Sequence, residues 1–181
     1  MRQQFASDNN AGMCPSALKA LIAANEAGHA LGYGGDRWTA GACAAIRRLL
    51  DAPEAEVFLV YNGTAANALA LAHLCRPYHA VIAHAFSHVE TDEAGATGLF
   101  SGGATIMSAD EPAAKLTPAT VERLATKYGR GFHHVKPAVL SITQSTELGT
   151  VYALAELAEL VATARRHGLK VHMDGARLAN A

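Results

Sequence analysis

The sequence predicts an α/β protein built on a parallel sheet, and three observations carry that expectation. Short apolar runs of strand length alternate with Ala- and Leu-rich helical stretches. One such run, residues 56–61, passes through the turn Asn62-Gly63-Thr64 directly into a helical segment. The last third holds a complete strand, helix and strand in succession.

Composition agrees. Of 181 residues, 39 are Ala and 16 are Gly, so much of the apolar half of the chain is small side chains suited to helices packed closely on a sheet. Lys and Arg number 15 against 16 Asp and Glu, a formal charge of −1, which argues against disorder and against a nucleic-acid-binding tail. The length suits one domain with a sizeable core. No apolar run approaches the roughly 20 residues of a membrane span, and the N-terminus has no apolar stretch of the secretory kind. Cys14, Cys43 and Cys75 are isolated and lack C-x-x-C spacing, so a cytosolic protein with reduced thiols is expected.

In chain order, residues 15–27 read as a helix and Gly32 to Asp36 as a loop. Ala42, Ile46, Leu49 and Leu50 recur at helical spacing, with Arg47 and Arg48 where a last turn favours positive charge. Residues 56–61 read as a strand, 62–64 as a tight turn and 65–75 as a helix. Residues 80–83 and 104–107 are further short apolar runs, and Thr117-Pro118 opens a helix. Residues 138–143 are a strand, 154–167 a helix closed by Gly168, and 169–173 another strand. The chain stops at Ala181 without a terminal signal and reads as cut off.

Several groups could carry chemistry. A Gly turn between a strand and a helix lets backbone N–H groups and the helix dipole converge on an anion, so Asn62-Gly63-Thr64 is either a phosphate cradle or a turn and cap. It is neither a P-loop nor a G-x-G-x-x-G fingerprint. Asp174 follows a strand, where open α/β sheets bind ligands, and is either a helix cap or a fixed carboxylate facing the same ligand; Arg177 is three residues on. A ligand with a phosphate at one end and a protonatable ring nitrogen would suit both features. The segment from His84 through His88 to Glu93 has three readings. It is a metal site, although H-E-x-x-H is absent, or a solvated helix start, or an imidazole stacked on a flat cofactor with Glu90 or Asp92 fixing its orientation. Ser7, Tyr33 and the pair His133-His134 are weaker candidates, each with a packing, capping or solvent-exposed alternative.

Taken together, Ser7-Asp8-Asn9, Tyr33-Gly-x-Asp36, Asn62-Gly-Thr-Ala-Ala-Asn67, His88-Val-Glu-Thr-Asp92, Ile142-Thr-Gln144 and His172-Met-Asp-Gly-Ala-Arg177 occur in an order that resembles the low-specificity L-threonine aldolases. These are enzymes dependent on pyridoxal 5'-phosphate, of fold type I, in the β-eliminating lyase group. The resemblance implies a three-layer α/β/α large domain with a mostly parallel sheet. Residues 1–40 would be an N-terminal segment packed on that domain, and residues 41–181 the cofactor-binding large domain, incomplete at its C-terminal end.

The resemblance also implies roles. Gly63 and Thr64 would hold the cofactor phosphate, Asp174 would pair with the ring nitrogen, and Arg177 would lie near the substrate carboxylate and the cofactor. His88 would stack on the ring; His88 or His133 would take the β-hydroxyl proton; Ser7 and Tyr33 would help bind the substrate. The implied reaction is retro-aldol cleavage of L-threonine or L-allo-threonine to glycine and an aldehyde such as acetaldehyde, in a cytoplasmic homodimer or homotetramer that binds neither nucleic acid, membrane nor metal. The family's Schiff-base lysine lies beyond the Asp-Gly-Ala-Arg motif, and Lys19, Lys115, Lys127, Lys136 and Lys170 do not match it. The expectation is therefore a fragment with the cofactor cup but little activity. The alternatives are another fold-type-I enzyme, a β-eliminating lyase or aminotransferase, or a non-catalytic binding module or partner subunit.

Overall fold

The structure, a computed structural model, describes residues 7–129 and 131–181. It divides into two compact units, one ending at Phe58 and the other running from Leu59 to Ala181.

The first unit contains helices α1 (Pro15–Glu26) and α2 (Arg37–Leu49). Pro15 opens α1 with a fixed φ where no backbone donor is needed. Asp36 caps α2 by accepting the Trp38 and Thr39 N–H groups at 2.9 and 2.8 Å, which also holds its carboxyl below the ordinary range. Neither helix buries a residue fully.

One expectation fails at the junction. Residues 56–61 do not form a strand, and Phe58 and Tyr61 are 77% and 97% exposed. An apolar run becomes a strand only when a neighbouring strand takes up its N–H and C=O groups. Among the described residues, none pairs with it.

The second unit begins with α3 (Gly63–Leu74) and contains a four-stranded, wholly parallel sheet in the order β2-β1-β3-β4. The strands are β1 (His79–His84), β2 (Thr105–Ala109), β3 (Lys136–Thr143) and β4 (Lys170–Asp174). Helices α4 (His88–Thr91), α5 (Ala96–Ser101), α6 (Pro118–Thr126) and α7 (Leu154–Arg166) make the connections. A parallel sheet is covered on both faces, which is why its strands read as unbroken apolar runs. Alternate side chains leave on opposite faces. Ala80, Ile82, Leu140 and Ile142 pack with Val121 and Leu124 of α6 and Leu160 and Ala164 of α7. Val81, Ala83 and Val139 pack with Leu71 of α3 and Val89 of α4. The unit is thus three layers, α/β/α, as the family resemblance implies.

Local chemistry sets the element ends. Thr117 caps α6 through the Thr120 N–H at 3.2 Å, and Gly168 leaves α7 at φ 67°, a left-handed conformation that only glycine adopts without cost. After β3, the Gln144 amide makes a reciprocal pair with the Tyr152 backbone at 3.0 and 3.1 Å, and the Tyr152 hydroxyl accepts the Leu116 N–H at 2.7 Å. Those bonds pin the carboxyl end of the sheet. The chain leaves β1 towards β2 on one side and β3 towards β4 on the other, so the connections diverge between β1 and β3. Open α/β sheets form their ligand crevice at such a divergence, beyond the carboxyl ends of the strands.

Candidate functional site

The carboxyl end of the sheet gathers a hydrogen-bonded cluster. Asp174 closes β4 opposite Thr143 of β3, and its backbone carbonyl accepts the Gln144 N–H at 3.0 Å. One carboxylate oxygen, Oδ1, accepts the Ala176 N–H at 3.0 Å and the other, Oδ2, accepts Asn67 Nδ2–H at 2.9 Å. The same Asn67 nitrogen donates to Glu93 Oε1 at 2.7 Å. Glu93 Oε1 lies 3.0 Å from His88 Nδ1. One amide therefore spans two carboxyl groups, and the second of these also holds an imidazole. Burial grades across the cluster: the Glu93 side chain is 0% exposed, whereas that of His88 is 40% exposed.

Asn67 lies one helical turn into α3, about 6 Å along the axis from Gly63. At that helix start, Asn62 Oδ1 accepts the Ala65 N–H at 2.9 Å and the Asn62 carbonyl accepts that of Ala66 at 3.1 Å. The Gly63 and Thr64 N–H groups have no acceptor among the described residues, as expected for the first donors of a helix. A Cβ built on Gly63 would meet nothing within 4 Å, so the space beside that residue is open. Open amides at the positive end of a helix suit a phosphate.

Arg177 lies against the turn after β3. Its Nε and Nη2 donate to the Ser145 carbonyl at 3.2 and 3.1 Å, and Nη2 also reaches Glu147 Oε1 at 3.1 Å. The fork is thereby oriented with Nη1 left for another acceptor. His172, two residues before Asp174 and on the same face of β4, is buried with Nδ1 2.9 Å from Ser141 Oγ. Burial lowers its pKa, against the opposing pull of the Asp174 and Glu93 charges.

The sequence-derived candidates fare unequally. Asp174, His88, Gly63 and Thr64 all belong to the second unit, with Asp174 and His88 joined through Asn67 and Glu93. Arg177 follows Asp174 and borders the same strand ends. His133 is not brought to this cluster: it sits exposed in the turn before β3, and the strand's 8 residues separate that end from Thr143 by roughly 23 Å. Ser7 and Tyr33 belong to the first unit, where Ser7 Oγ accepts the Asn9 N–H at 3.2 Å and Tyr33 stands fully exposed at φ 57°.

Two details correct the reading of the His84 to Glu93 segment. Neither Glu90 nor Asp92 orients His88: Glu90 accepts from Ser108 Oγ and Asp92 from Thr91 Oγ1, and the partner of His88 is Glu93. Helix α4 is a single turn, so the side chain that folds back to His88 is the second one beyond its end. His84 is spent on backbone, with Nδ1 accepting the Phe86 N–H at 3.0 Å and Nε2 on the Glu111 carbonyl at 2.9 Å, which removes it from any metal pair with His88. Sequence reasoning gave Asn67 no role, and Glu93 only a place among the acids of this segment. The only signal for Asn67 was its place in the Asn-Gly-Thr-Ala-Ala-Asn run.

The fold and site define a three-layer α/β domain with a capped helix start and a hydrogen-bonded carboxylate at the carboxyl end of a parallel sheet. Comparison narrows this: the chain matches the beta-eliminating lyase family over residues 4–181 and belongs to it. It is 50% identical over 179 residues to the low specificity L-threonine aldolase of Pseudomonas aeruginosa, covering 99% of this chain and 51% of that protein. A threonine aldolase structure from Leishmania major superposes with a TM-score of 0.88 at 37% identity, over 95% of this chain and 49% of the other. An N-succinyldiaminopimelate aminotransferase from Mycobacterium tuberculosis, with a TM-score of 0.65 at 22% identity over 91% of this chain and 42% of the other, shares the fold. The chain spans about half the length of the Pseudomonas relatives it matches.

Proposed function

We propose that this chain is the cofactor-cradling part of a threonine-aldolase-type lyase, which cleaves L-threonine, L-allo-threonine and similar β-hydroxy-α-amino acids to glycine and an aldehyde. The observation that carries this reading is the Asp174 carboxylate, held by Asn67 one helical turn from the open Gly63 and Thr64 amides.

The donor set suits pyridoxal 5'-phosphate. Gly63 and Thr64 take the phosphate through the α3 N-terminus. Asp174, with both oxygens oriented by Asn67 and Ala176, accepts a hydrogen bond from the ring nitrogen and keeps the proton on it. When bound, this cofactor supplies an electron sink for the pair released as a bond to Cα breaks. Arg177 uses Nη1 to orient the substrate carboxylate, and His88, held by Glu93, takes the β-hydroxyl proton at Nε2. His133, at the other end of β3, is left out of this proton transfer. Ser7 and Tyr33 keep the substrate-binding roles that the family resemblance implies.

Two measurements test the reading. Pyridoxal phosphate titrated into the chain should bind and lose at least about tenfold in affinity in Asp174→Ala, one hydrogen-bonded charge pair being worth 1.5–3 kcal/mol. A polypeptide carrying this sequence and active with the cofactor should release glycine and acetaldehyde in equal amounts from L-threonine. Ammonia and a 2-oxo acid instead would point to elimination and sink the proposal.

A further inference from the structure

Glu93 has no role in the proposal beyond touching His88, yet it is the most buried member of the cluster and sits at its centre. Its Oε1 is shared between Asn67 Nδ2 at 2.7 Å and His88 Nδ1 at 3.0 Å, while Oε2 is buried without a partner among the described residues. The Asn67 amide can stand only one way round, because its oxygen turned inward would face two carboxyl groups and offer neither a donor. Oε1 thus accepts from Asn67, and as part of a carboxylate, or of an acid that carries its proton on Oε2, it has no proton to give. The imidazole must then be the donor at Nδ1. In the neutral ring that assigns the proton to Nδ1 and leaves Nε2, on the 40% exposed side chain, as a free acceptor.

We infer that Glu93 is a positioning residue that locks His88 in the Nδ1–H tautomer, through a carboxyl oxygen shared with the amide that also orients Asp174. An unconstrained imidazole favours the opposite tautomer, with its proton on Nε2, which could not accept a proton there. The shared oxygen therefore does two things. It aims the free lone pair of His88 outward, and through Asn67 it ties that orientation to the carboxylate of Asp174. The use of this lone pair in cleavage rests on the function proposed above, whereas the tautomer does not.

The test is a long-range ¹H–¹⁵N correlation spectrum of the imidazoles in the 181-residue chain, recorded without cofactor at a pH where His88 is neutral. The spectrum of His88→Asn identifies its signal among the 9 histidines. Wild type should give the Nδ1–H pattern for His88. Glu93→Met, which keeps the length of the side chain but removes the acceptor, should move the Nδ1–H to Nε2–H ratio by at least about tenfold towards Nε2–H, the worth of one such bond. Glu93→Gln keeps an oxygen at the Oε1 position and should retain the wild-type pattern. An Nε2–H pattern in wild type, an unchanged pattern in Glu93→Met, or a switch in Glu93→Gln would each overturn the inference. Ammonia and a 2-oxo acid released by an active polypeptide carrying this sequence, together with the expected spectra, would refute the functional proposal and leave the tautomer standing.

Discussion

Replacing Asn67 with Leu, nearly the same shape without polar atoms, probes the junction of the site. The side chain is 6% exposed and its single NH₂ group serves Glu93 at 2.7 Å and Asp174 at 2.9 Å. Each buried acceptor left without its donor costs about 1–3 kcal/mol. Asp174 is only half-buried and can recruit water, whereas Glu93 cannot, so the loss should be about 2–4 kcal/mol rather than the simple sum. Urea unfolding followed by far-ultraviolet circular dichroism reads this as a lower midpoint at unchanged slope. Because the penalty comes mainly from Glu93 Oε1 losing one of its two donors, adding Glu93→Met to Asn67→Leu should recover about 1 kcal/mol or more. The same Leu substitution combined with Tyr152→Phe, which involves different hydrogen-bond partners, should be additive. A loss under about 1 kcal/mol, or strict additivity with Glu93→Met, would refute the reading of Asn67 as a bridge between two carboxyl groups.

Other consequences follow from the same geometry. Gly63→Ala should leave the urea midpoint unchanged or slightly raised, because its Cβ meets nothing within 4 Å, while pyridoxal phosphate affinity falls in a fluorescence titration; equal affinity would remove the phosphate from that helix end. Burial pushes the Tyr152 hydroxyl from 10 up to about 12, so the unfolded chain loses this proton first and stability present below pH 10 should drain away as pH rises towards 12. The loss is about 2 kcal/mol after allowing for solvent screening, and an alkaline urea series should show it in wild type but not in Tyr152→Phe. His172 runs the other way: its lowered pKa means that below about pH 6.5 the unfolded chain takes up a proton that the folded one refuses, so stability falls with pH. His172→Gln should flatten that acid limb, leaving the contribution of His79, whose pKa burial also lowers.

Much of this protein was legible in its sequence. The apolar runs of β1, β2, β3 and β4 announce a sheet buried on both faces, and Thr117-Pro118 and Gly168 mark helix ends, because such signals depend on neighbours along the chain. Asp174 was also readable, since the last residue of a parallel strand must lie on the carboxyl rim of the sheet, and Asn62 was readable as a helix cap, although the strand expected before it is absent. What the sequence could not decide were matters of partnership. Residues 56–61 have every local feature of a strand, but a strand exists only through the chain beside it. Glu93 rather than Glu90 or Asp92 meets His88 because a one-turn helix and the bend after it set which carboxyl group folds underneath, a choice made by three-dimensional packing. Asn67 and Asp174 are 107 residues apart in sequence. Only the packing of α3 across the end of the sheet brings that amide to that carboxylate, and no local pattern encodes a contact whose two halves are so distant.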